Sequence, residues 1–356
     1  MNYNKSRFDE VTINYDKKRI PISSVERAKR QGNYRYYGAQ GVIDYVDDYI
    51  FDGKYLLIAE DGENLKSKKE NIAQLVEGKF WVNNHAHVVQ ANERCDLNFL
   101  FYLINSMDLS GYITGSVQPK LSQANLNSLE LIIPEMEIQR KIVRVIGAID
   151  EKIHNNNKIN DNLLQQAFAI FDSDFPKSSQ GNKTIGDYVL PRRGKSLLSS
   201  NAIFGDVPVV AGGLEPSTYH NVANTKAPVI TISASGANAG YVNLWNIPVW
   251  SSDSSFIDSS ITTNIYFWYV ALKKRQKEIY DSQTGSAQPH IYPKHIAVMP
   301  MPELQKQKII DFEDKVAPLF KLIGTNIEQN KRLSSFRDAF LPKLMSGEIN
   351  VSDVNL

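Results

Sequence analysis

Gly115-Ser116-Val117-Gln118-Pro119 returns about 170 residues later as Gly285-Ser286-Ala287-Gln288-Pro289, and its surroundings return with it. The first copy leads into Ile132-Ile133-Pro134-Glu135-Met136 and an apolar-periodic segment carrying Gln139 and Ile142. The second leads into Met299-Pro300-Met301-Pro302-Glu303-Leu304 and a like segment carrying Gln307 and Ile310. Both segments close alike, on Gln166-Ala167-Phe168 and Asp338-Ala339-Phe340. A repeat of this length means two copies of one module, not a short-period solenoid. Upstream and more faintly, Tyr36-Tyr37-Gly38-Ala39-Gln40-Gly41 stands about where Val209-Val210-Ala211-Gly212-Gly213-Leu214 stands, and Ser23-Ser24 has a counterpart in Ser199-Ser200. The contents of the two mixed regions otherwise differ. One holds Trp81-Val82-Asn83-Asn84-His85-Ala86-His87 and the other Ser233-Ala234-Ser235-Gly236-Ala237-Asn238-Ala239-Gly240. A shared frame with different contents fits two related binding events on different targets.

With 356 residues the chain has room for two or three domains, and 42% hydrophobic with 22% charged residues is ordinary for a soluble protein. A single cysteine, Cys95, excludes an internal disulfide framework and a cysteine-rich zinc site. Met1-Asn2-Tyr3-Asn4-Lys5 lacks the apolar run of a signal peptide, and no window nears the ~20 apolar residues of a membrane span. The expected location is the cytoplasm. A net charge of +1 argues against a simple, overall basic nucleic-acid binder. Its distribution softens that objection, because basic clusters occur at Lys17-Lys18-Arg19, Arg27 with Lys29-Arg30, Lys66 with Lys68-Lys69, Arg192-Arg193 with Lys195, and Lys273-Lys274-Arg275. Each reads either as a solvated face or as a phosphate contact.

From Glu135 to about Phe171, apolar residues fall three or four apart at Ile138, Ile142, Val145, Ile149, Ile153, Ile159, Leu163, Ala167 and Ile170. From Glu303 to about Met345 the series runs Ile309, Phe312, Val316, Leu319, Ile323, Ile327, Leu333, Phe336, Phe340 and Leu344, with Pro318 expected to bend the helix. Stripes this long suit coiled coils, each helix roughly 50–60 Å at 1.5 Å per residue. Asn156 and Asn330 interrupt the stripes at comparable places and would fix register if they face each other. An antiparallel pair is the simplest arrangement, with the helices acting as a ruler between the two modules. The fold class is therefore α+β: two similar mixed α/β domains separated by two long antiparallel coiled-coil helices, an internal pseudo-two-fold repeat. The expected boundaries are 1–133 and 174–301 for the mixed domains, 134–173 for the first helix, and 302–356 for the second helix and tail.

No catalytic constellation and no metal set survives inspection. Arg193-Gly194-Lys195-Ser196 resembles the end of a phosphate loop, but Val189 stands where that loop needs its first glycine. Ser233-Ala234-Ser235-Gly236 lacks the leading glycine of a nucleophile elbow. His85 and His87 are two apart, so on a strand they would share a face, as a metal pair or as polar, base-contacting groups. Asp61 with Glu77-Gly78-Lys79 imitates the acid and acid-x-lysine set of a magnesium-dependent nuclease, although the second half has no equivalent. No methyl-donor loop and no Asn/Asp-Pro-Pro-aromatic signature is present.

The duplicated frame resembles the specificity subunit of type I restriction-modification enzymes. The resemblance rests on Tyr37-Gly38-Ala39, Asp61-Gly62-Glu63-Asn64, Trp81 to Val88, both Gly-Ser-x-Gln-Pro turns with the strand, Pro-Glu and helix that follow, and the tail Phe340-Leu341-Pro342-Lys343-Leu344-Met345-Ser346-Gly347-Glu348-Ile349. It covers nearly the whole chain. It implies that each mixed region is a target-recognition domain reading one half of a split double-stranded DNA sequence. It further implies that the helices set the spacer and dock two methyltransferase subunits, and that restriction-translocase subunits join. S-adenosylmethionine, ATP and magnesium then belong to the partners, with no cofactor on this chain. One departure stands out: the leader Thr184-Ile185-Gly186-Asp187-Tyr188-Val189 has a less clear counterpart in Phe8-Asp9-Glu10-Val11-Thr12-Ile13.

Base reading wants amide, hydroxyl, imidazole and guanidinium groups aimed at groove edges, with glycines where backbone comes close. The candidates in the first module are Tyr37, Gly38, Lys68, Asn83, Asn84, His85, His87 and Gln118; those in the second are Arg192, Arg193, Ser233, Ser235, Asn238 and Gln288. Gln118 and Gln288 recur beside prolines and favour a role in the frame, while Tyr37 reads as a stacking group or as core. Ile142, Ile149, Asn156, Leu163, Val316, Ile323, Asn330 and Phe340 are the candidates for helix pairing and partner docking. A protein-assembly adaptor that never reads DNA is the non-enzymatic alternative, and the nuclease the enzymatic one.

Overall fold

The computed structural model describes residues 3–285 and 288–351; Ser286 and Ala287 of the second turn lie outside the described residues, as does the tail beyond 351. Packing divides the chain into two units, residues 1–153 with 332–356, and residues 154–331. Each unit thus contains one mixed region and part of both long helices.

In the first unit the elements are β1 (Tyr3–Arg7), α1 (Phe8–Val11), β2 (Thr12–Asn14), α2 (Ser24–Lys29), β3 (Gln31–Gly38), β4 (Gly41–Val46), β5 (Phe51–Ala59), α3 (Asn64–Ser67), β6 (Ala73–Val82), β7 (Ala86–Ala91), α4 (Leu97–Ser106), α5 (Gln123–Asn127) and β8 (Glu130–Pro134), followed by the long helix α6 (Met136–Asp174). Six strands form one sheet in the order β2-β7-β5-β6-β3-β4, and β1 pairs with β8 apart from it. Successive side chains of a strand point to opposite faces. Leu56 and Ile58 of β5 accordingly enter a core with Phe99, Leu100, Leu103 and Ile104 of α4, while Tyr55 and Leu57 pack with Phe51, Phe80 and Val88 on the other face. Asp96 caps α4 by accepting from the amides of Asn98 and Phe99.

The second unit repeats this plan in shorter pieces: β9 (Lys183–Thr184), β10 (Arg192–Arg193), β11 (Val207–Val210), β12 (Thr218–His220), β13 (Val229–Ser233), β14 (Val242–Trp245), β15 (Trp250–Ser251), β16 (Ser254–Asp258), α7 (Ile265–Lys274), α8 (Gln276–Asp281), α9 (Pro293–Ala297) and β17 (Pro300–Met301), then the long helix α10 (Lys306–Ser346). Its strands lie in the orders β10-β16-β13-β14 and β12-β11-β15, with β9 and β17 paired separately. Backbone pairing shows the repeat residue by residue. Tyr36 pairs in parallel with Trp81 as Val209 does with Trp250. The β5–β7 ladder, Ile58 to His87 and Ala59 to Ala86, has its match in Ile232 to Ser255 and Ser233 to Ser254.

The weak leader of the first half also repeats. The Phe8 amide donates to Leu129 O at 3.0 Å and the Ile185 amide to Met299 O at 2.9 Å. Three residues into each short helix a carboxylate turns back to the amide before it, Glu10 to Arg7 at 3.2 Å and Asp187 to Thr184 at 2.7 Å. Phe8-Asp9-Glu10 therefore plays the part of Ile185-Gly186-Asp187, and β1 supplies the edge that the sequence left unclear.

Helix α6 has 39 residues and α10 has 41. They pair antiparallel within each unit. In the first, Ile142, Val145 and Ile146 share a core with Leu341, Leu344 and Met345, Phe340 packs at its border, and Arg337 bonds Asp150 at 2.7 Å. In the second, Ala167 and Phe171 meet Phe312, Val316 and Phe320, with Ile323 at the margin and Leu163 buried. Ile149 is half-buried. Pro318 lies inside α10 without ending it. The apolar stripe is interrupted by a layer of amides: Asn156 Nδ2 donates to Gln329 and Asn330 at 2.8 Å each, and Asn326 donates to Asn160 at 2.8 Å. Flanking that layer, Ile159 and Ile327 face solvent.

The early glutamines of the two helices have different fates despite matching positions. Gln139 is fully buried; its Oε1 accepts from the Asp96 amide at 2.7 Å and its Nε2 donates to Pro134 O at 2.8 Å and Arg94 O at 3.0 Å. Gln307 is exposed and, among the described residues, bonds Asp311, one turn on, at 2.8 Å. Removing a buried partner costs the desolvation of each group it leaves unpaired, about 1–3 kcal/mol. Gln139→Ala should therefore lower unfolding free energy by at least that range in denaturant titration, whereas Gln307→Ala should stay within about 0.5 kcal/mol of wild type.

Candidate nucleic-acid interface

The Gly-Ser-x-Gln-Pro turn is fixed the same way in each unit. Thr114 and Lys120 exchange backbone bonds across the first turn at 2.8 and 2.7 Å, and Thr284 and His290 do so across the second at 3.0 and 2.8 Å. Each turn then docks on the loop after the central strand. Gly62 N donates to Pro119 O at 3.1 Å and Leu121 N to Glu60 O at 2.8 Å; Gly236 N donates to Pro289 O at 3.0 Å and Ile291 N to Ala234 O at 2.9 Å. Gly115 and Gly285 have φ of +85° and +95°, where a Cβ would press on the carbonyl of Gln118 or Gln288. The glutamine side chains themselves are exposed.

Around the first turn gather the end of β3, the loop after β5 and the loop between β6 and β7. Asn83 is buried and holds that last loop: its amide donates to Tyr37 O at 3.0 Å and its Oδ1 accepts from the His85 amide at 2.8 Å. Asn84 and His85 are left exposed. His85 Nδ1 meets Asp61 Oδ2 at 2.6 Å. Below the rim lies a buried polar network in which Arg19 bonds Glu60 and Ala86 O at 2.8 Å each, and Lys120 reaches Glu60 at 3.3 Å. His87 is part of it, fully buried, with Nδ1 on Asp16 at 2.6 Å and Nε2 on Leu121 O at 2.8 Å. Burial opposes ionisation of Asp16, but the hydrogen bond and charge of His87, the Val88 amide and Arg19 outweigh it and hold the carboxyl below its ordinary range.

In the second unit the equivalent rim carries other chemistry. Ser235 occupies the place of Asp61, and Asp253, whose carbonyl accepts from the Ala234 amide as His85's does from Glu60, occupies the place of His85. The Ser235 hydroxyl donates to one oxygen of Asp253, and Arg193 grips the other at 2.5 Å. Arg192 is exposed and touches Ser260 at 3.3 Å, and Asn238 is half-exposed. Gly212 lies so close to the Ser235 carbonyl that no side chain fits there. Ser233 is buried in the strand.

The sequence candidates thus separate by environment. Gly38, Asn84, His85 and Gln118 border one rim; Arg193, Ser235, Asn238 and Gln288 border the other. Tyr37 is core, edge-on to Phe80 at 5.7 Å, and burial pushes its phenol pKa up. Lys68 is tied by its ammonium to Met107 O at 2.7 Å. His85 precedes β7 rather than lying within it, so His85 and His87 do not share a strand face, and both His87 nitrogens are occupied. The nuclease set is not assembled: Asp61 lies two residues past the end of β5, whereas Glu77 and Lys79 pair with Lys54 and Asp52 near its start, roughly 23–30 Å back along the chain. Sequence reading missed Asp253, which has no counterpart in the first half's residue types, and the Arg19–Glu60 pair, which is spread over distant segments.

Residues 2–165 match the family model described as the type I restriction modification DNA specificity domain. A Haemophilus influenzae protein named as a type I restriction enzyme specificity subunit is 27% identical over an alignment covering 94% of each chain. The type I restriction enzyme MjaIX specificity subunit of Methanocaldococcus jannaschii is 27% identical over 72% of this chain and 70% of its own. The crystal structure of a type I restriction-modification system S subunit from M. genitalium shares the fold, with a TM-score of 0.62 over 97% of this chain and 96% of that one, at 19% identity. The duplicated frame and its paired long helices agree with these likenesses to specificity subunits of type I restriction-modification enzymes.

Proposed function

We infer that this chain is the non-catalytic DNA-specificity subunit of a type I restriction-modification complex, reading a split double-stranded target with one unit per half-site. The observation that carries this reading is the repeated backbone frame displaying unlike rims, Asp61–His85 in one unit and Ser235–Asp253–Arg193 in the other. Residues 1–133 and 174–301 are the two target-recognition domains, and 134–173 and 302–356 the helical segments. Two methyltransferase subunits dock on the helices, where Ile159, Leu322 and Ile327 offer exposed apolar surface. Restriction-translocase subunits complete the assembly; S-adenosylmethionine, ATP and magnesium act in the partners, in the cytoplasm. Among the described residues no helix is long and apolar enough to cross a membrane.

Mapping modified bases in DNA from cells carrying the system should give a bipartite sequence with an unspecified spacer. Exchanging residues 1–133 for those of another family member should change one half-site and leave the other and the spacer as they were. A simultaneous change of both half-sites would overturn the two-reader assignment. Equal gel-shift affinity of the subunit–methyltransferase complex for the split site and for scrambled duplexes would favour the assembly adaptor instead.

The helices should also set the spacer. Inserting four residues before Asn156 and four after Asn330, close to one turn each, adds about 6 Å and keeps the stripe nearly in phase. That is worth roughly one to two base pairs of spacer, with both half-sites retained. Two-residue insertions turn the stripe by about 200° and should abolish modification. An unchanged spacer after the four-residue insertions would mean that partner subunits position the readers.

A further inference from the structure

We propose that Asp61 and Asp253 are positioning residues, each orienting the base-reading side chain of its own unit, His85 in the first and Arg193 in the second. The proposal rests on the DNA-reading function inferred above and adds to it the position at which each unit sets its specificity. Two loops meet there, the one after the central strand and the one before its neighbour, joined by the Glu60 amide on His85 O at 2.9 Å and the Ala234 amide on Asp253 O at 3.1 Å. In both units a side-chain pair bridges the loops directly above this backbone bond. The carboxylate comes from the first loop in one unit and from the second loop in the other, so the site is common while the chemistry is exchanged.

A carboxylate on a surface that approaches phosphates is repelled by them, and a hydrogen-bond donor held on it turns that edge of the rim from bare acceptor into an oriented pair. Both carboxylates have such a donor, and in each case it points on toward solvent. Asp61 is the more buried member of its pair and holds Nδ1 of a half-exposed His85. Among the described residues Nε2 of His85 has no partner, so the pairing fixes which ring nitrogen faces outward and in what plane. When the neutral ring donates Nδ1–H to Asp61, Nε2 presents a lone pair, suited to the amino group of adenine or cytosine in the major groove. Asp253 is engaged on both oxygens, by Ser235 and by one terminal nitrogen of a partly exposed Arg193. The remaining guanidinium N–H groups are then held in a fixed plane, the form of donor that matches the O6 and N7 acceptors of guanine.

The test uses the complete subunit with its methyltransferase partners, measuring affinity for the mapped target and for every single-base variant of it. Asp61→Ala and His85→Ala should each lower discrimination about tenfold at the same base position of one half-site, and the double variant should lose no more than either alone. Asp253→Ala and Arg193→Ala should do the same in the other half-site. Binding of the Asp61→Ala and Asp253→Ala variants to non-specific duplex should be no weaker than that of the wild type. A purely structural staple would instead lower the melting temperature and weaken all sequences equally, and that result, or an unaltered preference at every position, would overturn the proposal. Asp61→Asn and Asp253→Asn keep the shape where the alanine variants fail to fold, and should give a smaller loss at those same positions; none there would also overturn it. Absence of any sequence preference in the wild-type complex would overturn the DNA-reading function itself.

Discussion

The repeat is carried by backbone hydrogen bonds that tie a tight turn to the loop after the central strand, Gly62 to Pro119 and Leu121 to Glu60 in one unit, Gly236 to Pro289 and Ile291 to Ala234 in the other. Buried peptide groups must find partners, and here they find each other. The turn demands a glycine with positive φ where a side chain would strike the carbonyl three residues on, and it is closed by a proline whose carbonyl is the acceptor. A frame held by main-chain atoms constrains few side chains. Asp61 can therefore become Ser235, and His85 can become Asp253, with no change in the bonds beneath them. That separation of frame from rim is what allows one fold to present two unlike surfaces.

Elements with a local or periodic cause were legible in the sequence. The register implied by aligning Tyr36-Tyr37-Gly38 with Val209-Val210-Ala211 is the register of the β3–β6 and β11–β15 ladders. Both long helices lie within a few residues of where their stripes place them. What sequence could not show is where a strand begins, and so whether two histidines two apart share a face. Ala86 opens β7, which leaves His85 in a loop and buries His87 against Asp16, a partner 71 residues away. Matching letters at Gln139 and Gln307 also stand in different surroundings. One fills a buried gap beside the α4 cap, while the other stands at an exposed helix start with no such gap to fill.

The amide layer between α6 and α10 is a separate constraint. Asn156 is fully buried, donates twice, and has an Oδ1 with no partner among the described residues, which costs stability that a leucine would not. In return it accepts only one alignment of the facing Gln329 and Asn330. The repeat adds a second lock, because Asn326 and Asn160 occupy the places that correspond to Asn156 and Asn330 and bond in the same sense. Slipping one helix by a turn would unpair both locks at once. Apolar stripes with exposed isoleucines beside them would tolerate such a slip; paired amides do not.

Charge placement follows the same logic of internal pairing. Arg19 is taken by Glu60, Arg27 by Asp44, Arg30 by Asp47 and Arg193 by Asp253. In the cluster at 273–275, Lys273 bonds Val242 O, Lys274 bonds Asp172 and Arg275 bonds Glu278. In clusters that look like phosphate contacts in the sequence, these arginines and Lys274 are therefore neutralised by carboxylates of their own unit. Sequence-blind attraction to DNA grows with the number of phosphates neutralised and weakens steeply with salt. Discrimination grows instead with the rigidity of a few donors and acceptors at base edges. A carboxylate beside an arginine cancels a charge, and beside a histidine or an arginine it fixes a direction, so sequence-blind attraction gives way to discrimination. In a subunit whose inferred task is to choose sequences for catalytic partners, direction is the more useful property.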